Sequence, residues 1–210
     1  MGNIYILSEK RFAGALNLPV IKINFLDTDI DLNGYEALIF TSKNGVEAID
    51  RIDKSWKKKD IYSIGSGTTK AIKDKGAIAC YTAKSSYGDD FAKEIVPLLS
   101  GKKSLFLRAK KVTSKLNKIL KDNGIELYEK IVYETVCNED IKECPNEGSV
   151  IIFSSPSTIE CFFKRYSWKD SYKAVVIGTK TASYMPDGVR FDLCSIQTIP
   201  ACIELAKTLL

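Results

Sequence analysis

"LIFTSKNGVEAI", residues 38–49, starts as an uncharged apolar run and passes through "TSKN" into a second apolar-rich segment. It reads as a strand over 36–41 followed by a helix over 44–52. A strand whose centre, "ALIF", has no polar residue is built to be buried on both faces, so its polar end marks where the chain surfaces. The same form recurs in "IIFSSPSTIECF" (151–162), which aligns Phe40 with Phe153 and Ser42 with Ser155. At the same offset, "IYSIGSGTTKAI" (61–72) aligns with "AVVIGTKTASYM" (174–185), placing Gly65 on Gly178 and Thr68 on Thr181.

A third correspondence has a different offset: "IYILSEKRFAGAL" (4–16) matches "LFLRAKKVTSKL" (105–116) with Leu7 on Leu107. Each is followed by a second strand, "PVIKINFLD" (19–27) and "ELYEKIVYET" (126–135). One unit is therefore split between the two ends of the chain, and a complete second unit is inserted into it.

The inserted unit reads as strands 36–41, 60–64, 77–81, 103–108 and 125–133, alternating with helices 44–52, 67–75, 88–99 and 112–122. Gly76 and Gly124 fall where two of the helices should stop. The outer unit reads as strands 4–8, 149–154, 173–177 and 189–193 with helices 157–166, 180–185 and 199–209, and its first crossover, "EKRFAGALNL", is short enough to lack a full helix. Such alternation gives α/β domains with doubly wound parallel sheets of the flavodoxin-like kind. The expected division is 1–22 with 136–210 as a discontinuous outer domain and 28–130 as the inserted one. Residues 23–27 and 131–135 are then linker strands forming a two-stranded hinge.

Composition narrows the function. At 210 residues and 45% hydrophobic the chain can bury sizeable cores. No apolar run reaches the roughly 20 residues of a membrane span, and "NIYILS" enters a strand without a leader pattern, so a cytoplasmic location is expected. The six cysteines include no C-x-x-C pair, which argues against a zinc site and a disulfide framework and suggests mostly buried small hydrophobes. Histidine is absent. Ser-His-Asp and Cys-His nucleophilic machinery is thereby excluded, and any chemistry must need little proton shuttling near neutral pH. The net charge of +5, carried by runs such as "KSWKKKD" and "LRAKK", suits solvated helix ends or attraction to a polyanion. Without aromatic interleaving or a nucleic-acid motif, an acidic small molecule is easier to defend than nucleic acid.

In open parallel α/β sheets ligands gather beyond the carboxyl ends of the strands. "FTSKN", "SIGSGTT", "FLRAKK", "FSSPST" and "VIGTKT" all lie at such ends. Each offers hydroxyls and backbone N–H groups, and helix N-termini favour anions. The plainer reading makes Ser155, Ser157, Thr158, Thr68 and Thr181 ordinary caps. Neither "IGSGTT" nor "IGTKTA" has dinucleotide or Walker spacing, which argues against a nucleotide cofactor.

Over nearly its whole length the chain resembles the uroporphyrinogen-III synthase family. "FTSKNGV" is similar to the family's F-T-S-x-x-x-V, "SIGSGTTKA" and "VIGTKTA" to its I-G-x-x-T-A segments, "VYET" to its V-Y-x-T linker and "FSSPST" to its F-x-S-P-S-x. The resemblance implies a carbon–oxygen lyase of haem biosynthesis that closes hydroxymethylbilane to uroporphyrinogen III, losing water and inverting the last ring. It implies a monomer with no cofactor, no metal and no nucleic-acid or membrane partner, with transient contact to hydroxymethylbilane synthase. By the same resemblance Tyr133 assists departure of the substrate hydroxyl. Ser42, Asn44, Gly65, Ser155, Ser157, Thr158, Gly178 and Thr181 carry over as contacts to the substrate's eight carboxylates. Lys43 and Lys180 depart from the family pattern, as does the short first crossover. The alternative from another class is a hinged binding protein that closes over an anionic small molecule without chemistry.

Overall fold

The computed structural model describes residues 2–85 and 87–210. It divides into unit 1, Met1–Lys22 with Thr135–Leu210, and unit 2, Ile23–Glu134.

Unit 2 is built on β4 (Ala37–Phe40), β5 (Asp60–Ser63), β6 (Tyr81–Thr82), β7 (Ser104–Ala109) and β8 (Leu127–Cys137), together with β3 (Ile21–Phe25). The sheet order is β3-β8-β7-β4-β5-β6, and β4 through β8 pair in parallel. Helices α1 (Lys43–Ile52), α2 (Gly65–Asp74), α3 (Gly88–Leu99) and α4 (Leu116–Asp122) make the crossovers. Alternate residues of β4 enter different cores: Leu38 and Phe40 pack with Val46, Ile49 and Trp56, while Ala37 and Ile39 pack with Phe91, Ile95 and Leu116. That division is what an apolar strand buried on both faces requires.

Unit 1 carries β1 (Ile4–Ile6), β2 (Leu16–Asn17), β9 (Val150–Phe153), β10 (Lys173–Val176) and β11 (Asp192–Leu193) in the order β11-β10-β9-β1-β2. All its pairings are parallel. Helices α5 (Pro156–Arg165), α6 (Thr179–Ala182) and α7 (Ile199–Lys207) belong to it. β9 divides as β4 does, sending Ile151 and Phe153 to one core and Val150 and Ile152 to the other. Numbered in chain order, the strands of unit 1 run 2-1-3-4-5 across the sheet, the flavodoxin-like order. In unit 2, leaving aside β3 at the edge, β4 through β8 run 3-2-1-4-5, the same arrangement entered at a different strand. The order reverses between β1 and β9 in one unit and between β4 and β7 in the other.

Several element boundaries differ from the sequence expectation, and tertiary contacts account for them. The strand expected at 77–81 is confined to Tyr81–Thr82, because Gly76 at φ +79° ends α2 and the Ala77 N–H returns to the Ile72 carbonyl. The helix expected from 112 begins at Leu116. The Lys115 N–H is held 2.7 Å from Asp89 of α3, and Ser114 packs on Gly88 so closely that no Cβ would fit there. The first crossover contains no helix, and β2 follows at Leu16–Asn17. The Asn17 amide ties that loop by donating to the carbonyls of Ser8 (2.6 Å) and Lys10 (2.8 Å).

The cysteine reading needs correction. Cys137, at the end of β8, and Cys161, in α5, form a disulfide with Cα atoms 5.2 Å apart. Both side chains belong to the core around Phe153, so the topology brings them together although their spacing gives no hint of it. Cys80 and Cys144 are exposed, and only Cys194 and Cys202 are buried free thiols.

Candidate active site

In unit 2 the chain leaves β4 beside the point where strand order reverses. Ser42 caps α1 with extended backbone, and its Oγ accepts the Asn44 N–H at 3.1 Å. α1 starts hard against the end of β7: a Cβ on Gly45 would lie 2.9 Å from the Leu107 carbonyl oxygen. This brings the first turn of α1 close to β7 and, one strand further, to β8.

Tyr133 on β8 points into that region. It is 6% exposed and packs in the core with Phe40, Val46 and Val132. Burial pushes its phenol above the ordinary value, and a hydrogen bond with the Ser42 side chain opposes the rise. The phenol is therefore a neutral, protonated group at physiological pH, in contact with the cap of α1. Its backbone carbonyl accepts the Lys110 N–H at 2.9 Å.

One strand over, Gly65 opens α2 at φ +63°, a left-handed conformation that glycine adopts without strain. Ser66 and Gly67 of the same turn are exposed, whereas Thr68 is buried. Beneath the turn, Ser63, Thr69 and Thr82 share hydroxyl hydrogen bonds, with Ser63 to Thr69 at 2.7 Å and Thr69 to Thr82 at 2.9 Å. Nothing in the local sequence marks this cluster, since it depends on the register of β5 with β6.

In unit 1 the corresponding position is held by Ser155. It caps α5 in a reciprocal box: Ser155 Oγ accepts the Thr158 N–H (3.3 Å), and Thr158 Oγ1 accepts the Ser155 N–H (3.1 Å). Thr158 Oγ1 also donates to the Ser155 carbonyl at 2.6 Å, so this buried hydroxyl is used within the helix start. Ser157 is half-buried in the same turn. Gly178 precedes α6 with extended backbone, and Thr181 is buried below it. The Gln197 side chain, which the sequence reading did not single out, lies over Gly178, its carboxamide carbon 3.0 Å from where a Cβ would stand.

Ser42, Asn44, Gly65 and Tyr133 thus gather at the strand carboxyl ends of unit 2, and Ser155, Ser157 and Gly178 at those of unit 1. Thr68, Thr158 and Thr181 lie buried under the turns. The donors are neutral hydroxyls and helix-start amides. Of the two unusual lysines, Lys43 is exposed and Lys180 half-buried. Among the described residues no cluster of metal-ligating side chains occurs, and no helix is long and apolar enough to cross a membrane.

The structure is similar to a crystal structure of uroporphyrinogen-III synthetase from Helicobacter pylori, at 28% identity and a TM-score of 0.86, with both chains covered completely. It also shares its fold with a mutant uroporphyrinogen III synthase of Thermus thermophilus, at 13% identity and a TM-score of 0.60, covering 100% of this chain and 98% of that one. No curated protein matches the chain. The family model described as uroporphyrinogen-III synthase HemD matches residues 6–200. With that match running through both units, the chain belongs to the uroporphyrinogen-III synthase family.

Proposed function

We propose that the chain converts hydroxymethylbilane to uroporphyrinogen III, as a carbon–oxygen lyase in which Tyr133 assists loss of the hydroxyl. The observation that carries this reading is the buried Tyr133 phenol, packed with Phe40 at the end of β4 and Val46 in the first turn of α1. The Ser42 oxygen already accepts the Asn44 amide, which leaves its hydroxyl proton able to turn towards the phenol oxygen and oppose the burial effect. The phenol's own proton is then free for the substrate. It hydrogen-bonds the departing hydroxyl, the electron-rich pyrrole supplies the electron pair, and an azafulvene forms. To close the macrocycle with the last ring inverted, the new carbon–carbon bond forms at the α-carbon of that ring that already carries its bridge. The old bond from that carbon to the bridging methylene breaks, and the methylene re-bonds at the ring's free α-carbon. The proton lost from that ring carbon balances the hydroxide that left, so the net by-product is one water.

A histidine-free site suits this chemistry, because the leaving step draws on the substrate's own electrons and needs no shuttle. Selecting isomer III over the uncatalysed isomer I is a matter of holding one conformation. Ser42, Asn44, Gly65, Ser155, Ser157, Thr158, Gly178 and Thr181 are the proposed carboxylate-binding positions, Thr158 and Thr181 through backbone geometry. Residues 23–27 and 131–135 act as linkers between the two substrate-binding domains.

The test is to supply freshly generated hydroxymethylbilane with and without the protein, oxidise the products and separate uroporphyrin I from III by chromatography. Conversion to III supports the proposal. Formation of isomer I alone in the presence of folded protein overturns it and favours a binding protein without chemistry.

A further inference from the structure

β7 and β8 run in register from Ser104 opposite Leu127 to Arg108 opposite Ile131, and then the register slips: Ala109 faces Tyr133, leaving Val132 as an extra residue. In a regular strand, neighbouring side chains point to opposite faces. Here Val132 and Tyr133 are both buried and belong to the same core. A slip of this kind re-aims a side chain, and such irregularities are over-represented next to active sites.

Arg108 sits at the slip. Its Nε donates to Glu129 at 2.7 Å, while Nη1 donates to the carbonyls of Ala109 (2.9 Å) and Lys110 (3.3 Å). Both partners of the ion pair are largely buried, with side-chain exposures of 18% and 15%. Glu129 is itself held by Asn117 and Lys121 of α4. The guanidinium thus fastens to α4 and β8 the backbone turn whose Lys110 N–H bonds the Tyr133 carbonyl. A lysine could keep the charge but not the planar fork that reaches carboxylate and carbonyls together.

We infer that Arg108 is a positioning residue: it holds the register slip at Val132 that turns the Tyr133 side chain into the core beside the start of α1. The inference rests on the proposed role of Tyr133 only for its effect on rate.

The test places 3-fluorotyrosine at position 133 and follows its 19F resonance and titration in the parent, Arg108→Met and Arg108→Lys. Both variants are expected to shift the resonance towards that of the unfolded chain and move the phenol titration towards its ordinary midpoint, Arg108→Lys by less. Formation of isomer III by Arg108→Met should fall about 5- to 10-fold in kcat with little change in KM. Arg108→Met combined with Tyr133→Phe should be no slower than Tyr133→Phe alone. If Arg108→Met does not fold, Glu129→Gln, which loosens the guanidinium, takes its place with the same expected shift. An unchanged 19F resonance in a folded variant overturns the inference, as do multiplicative rate losses in the double variant. If Tyr133→Phe alone leaves the rate unchanged, the catalytic role of Tyr133 fails, and the resonance still decides whether Arg108 positions it.

Discussion

Ser42 caps α1 and Tyr133 is buried on β8 in the core that includes Val46 of that helix, where the Ser42 side chain opposes the rise that burial imposes on the phenol. A single hydrogen bond to a departing hydroxyl is worth about 1.4 kcal/mol, or a factor of about 10 in rate. Tyr133→Phe should therefore slow formation of isomer III about 10-fold while leaving the urea midpoint nearly unchanged. Ser42→Ala should behave differently, losing about 1 kcal/mol of stability with the cap. Because the Ser42 hydrogen bond opposes the burial effect, the Tyr133 titration should move further up in that variant. Ultraviolet titration of the phenols, compared between parent and Ser42→Ala, reads this directly.

The capping box of α5 makes a separable prediction. Ser155 and Thr158 satisfy each other's backbone N–H groups, so Ser155→Ala removes one acceptor and leaves the Thr158 amide exposed to competition from water. The expected cost is about 1 kcal/mol, against a few tenths for Ser155→Gly. Urea unfolding of the two variants checks the order. If Ser155 also contacts a carboxylate, both should raise KM alike, since glycine restores the helix start but not the hydroxyl.

Gly65 and Gly178 align in the sequence repeat but are required for different reasons. Gly65 has φ +63°, so Gly65→Ala forces a left-handed residue at a cost of about 1–2 kcal/mol. Gly178 has φ −175°, extended backbone that alanine adopts freely, and the atoms nearest its added Cβ belong to the Gln197 side chain rather than to backbone. Gly178→Ala should accordingly cost less than Gly65→Ala in thermal or urea unfolding. Equal losses would mean that Gln197 cannot move aside.

The repeat shows which parts of the fold were legible in the chain. Strand–turn–helix units with buried apolar strands announce themselves locally, and Ser42 and Ser155 occupy equivalent caps because the pattern on either side fixes where each helix begins. What stayed hidden depends on register between distant segments. The slip at Val132 leaves only the apolar run Ile131, Val132 and Tyr133 in "KIVYE", which a strand buried on both faces would also show. The hydroxyl cluster of Ser63, Thr69 and Thr82 requires knowing that β5 pairs with β6 at Ser63 opposite Thr82. Cys137 and Cys161 meet because β8 and α5 share a core, and Gln197 reaches Gly178 from a loop with no motif of its own.

Asp50 supplies a prediction about acid. It is 5% exposed in α1, accepting the Trp56 indole N–H at 3.1 Å and pairing with Lys54 at 2.7 Å and Lys75 at 3.4 Å. Burial alone would raise its carboxyl, but hydrogen bonds from Lys54, Trp56 and Lys75 outweigh that and bring it from 3.8 down to about 2. A carboxyl depressed on folding stabilises the native state above its unfolded value and loses that contribution as pH falls through the folded one. The window is therefore from about pH 4 to about pH 2. Lys54 is two-thirds exposed, so solvent screens part of the effect and leaves on the order of 1 kcal/mol. Other carboxyls, including those of Glu47 and Glu129, are depressed too, so the contribution of Asp50 must be read as a difference. Asp50→Asn keeps the shape and an acceptor for Trp56 but cannot titrate. Urea unfolding from pH 7 to pH 2 should show the gap between parent and Asp50→Asn closing below about pH 4. A gap that stays constant to pH 2 would mean that the Asp50 charge contributes nothing and that only its contact with Trp56 matters.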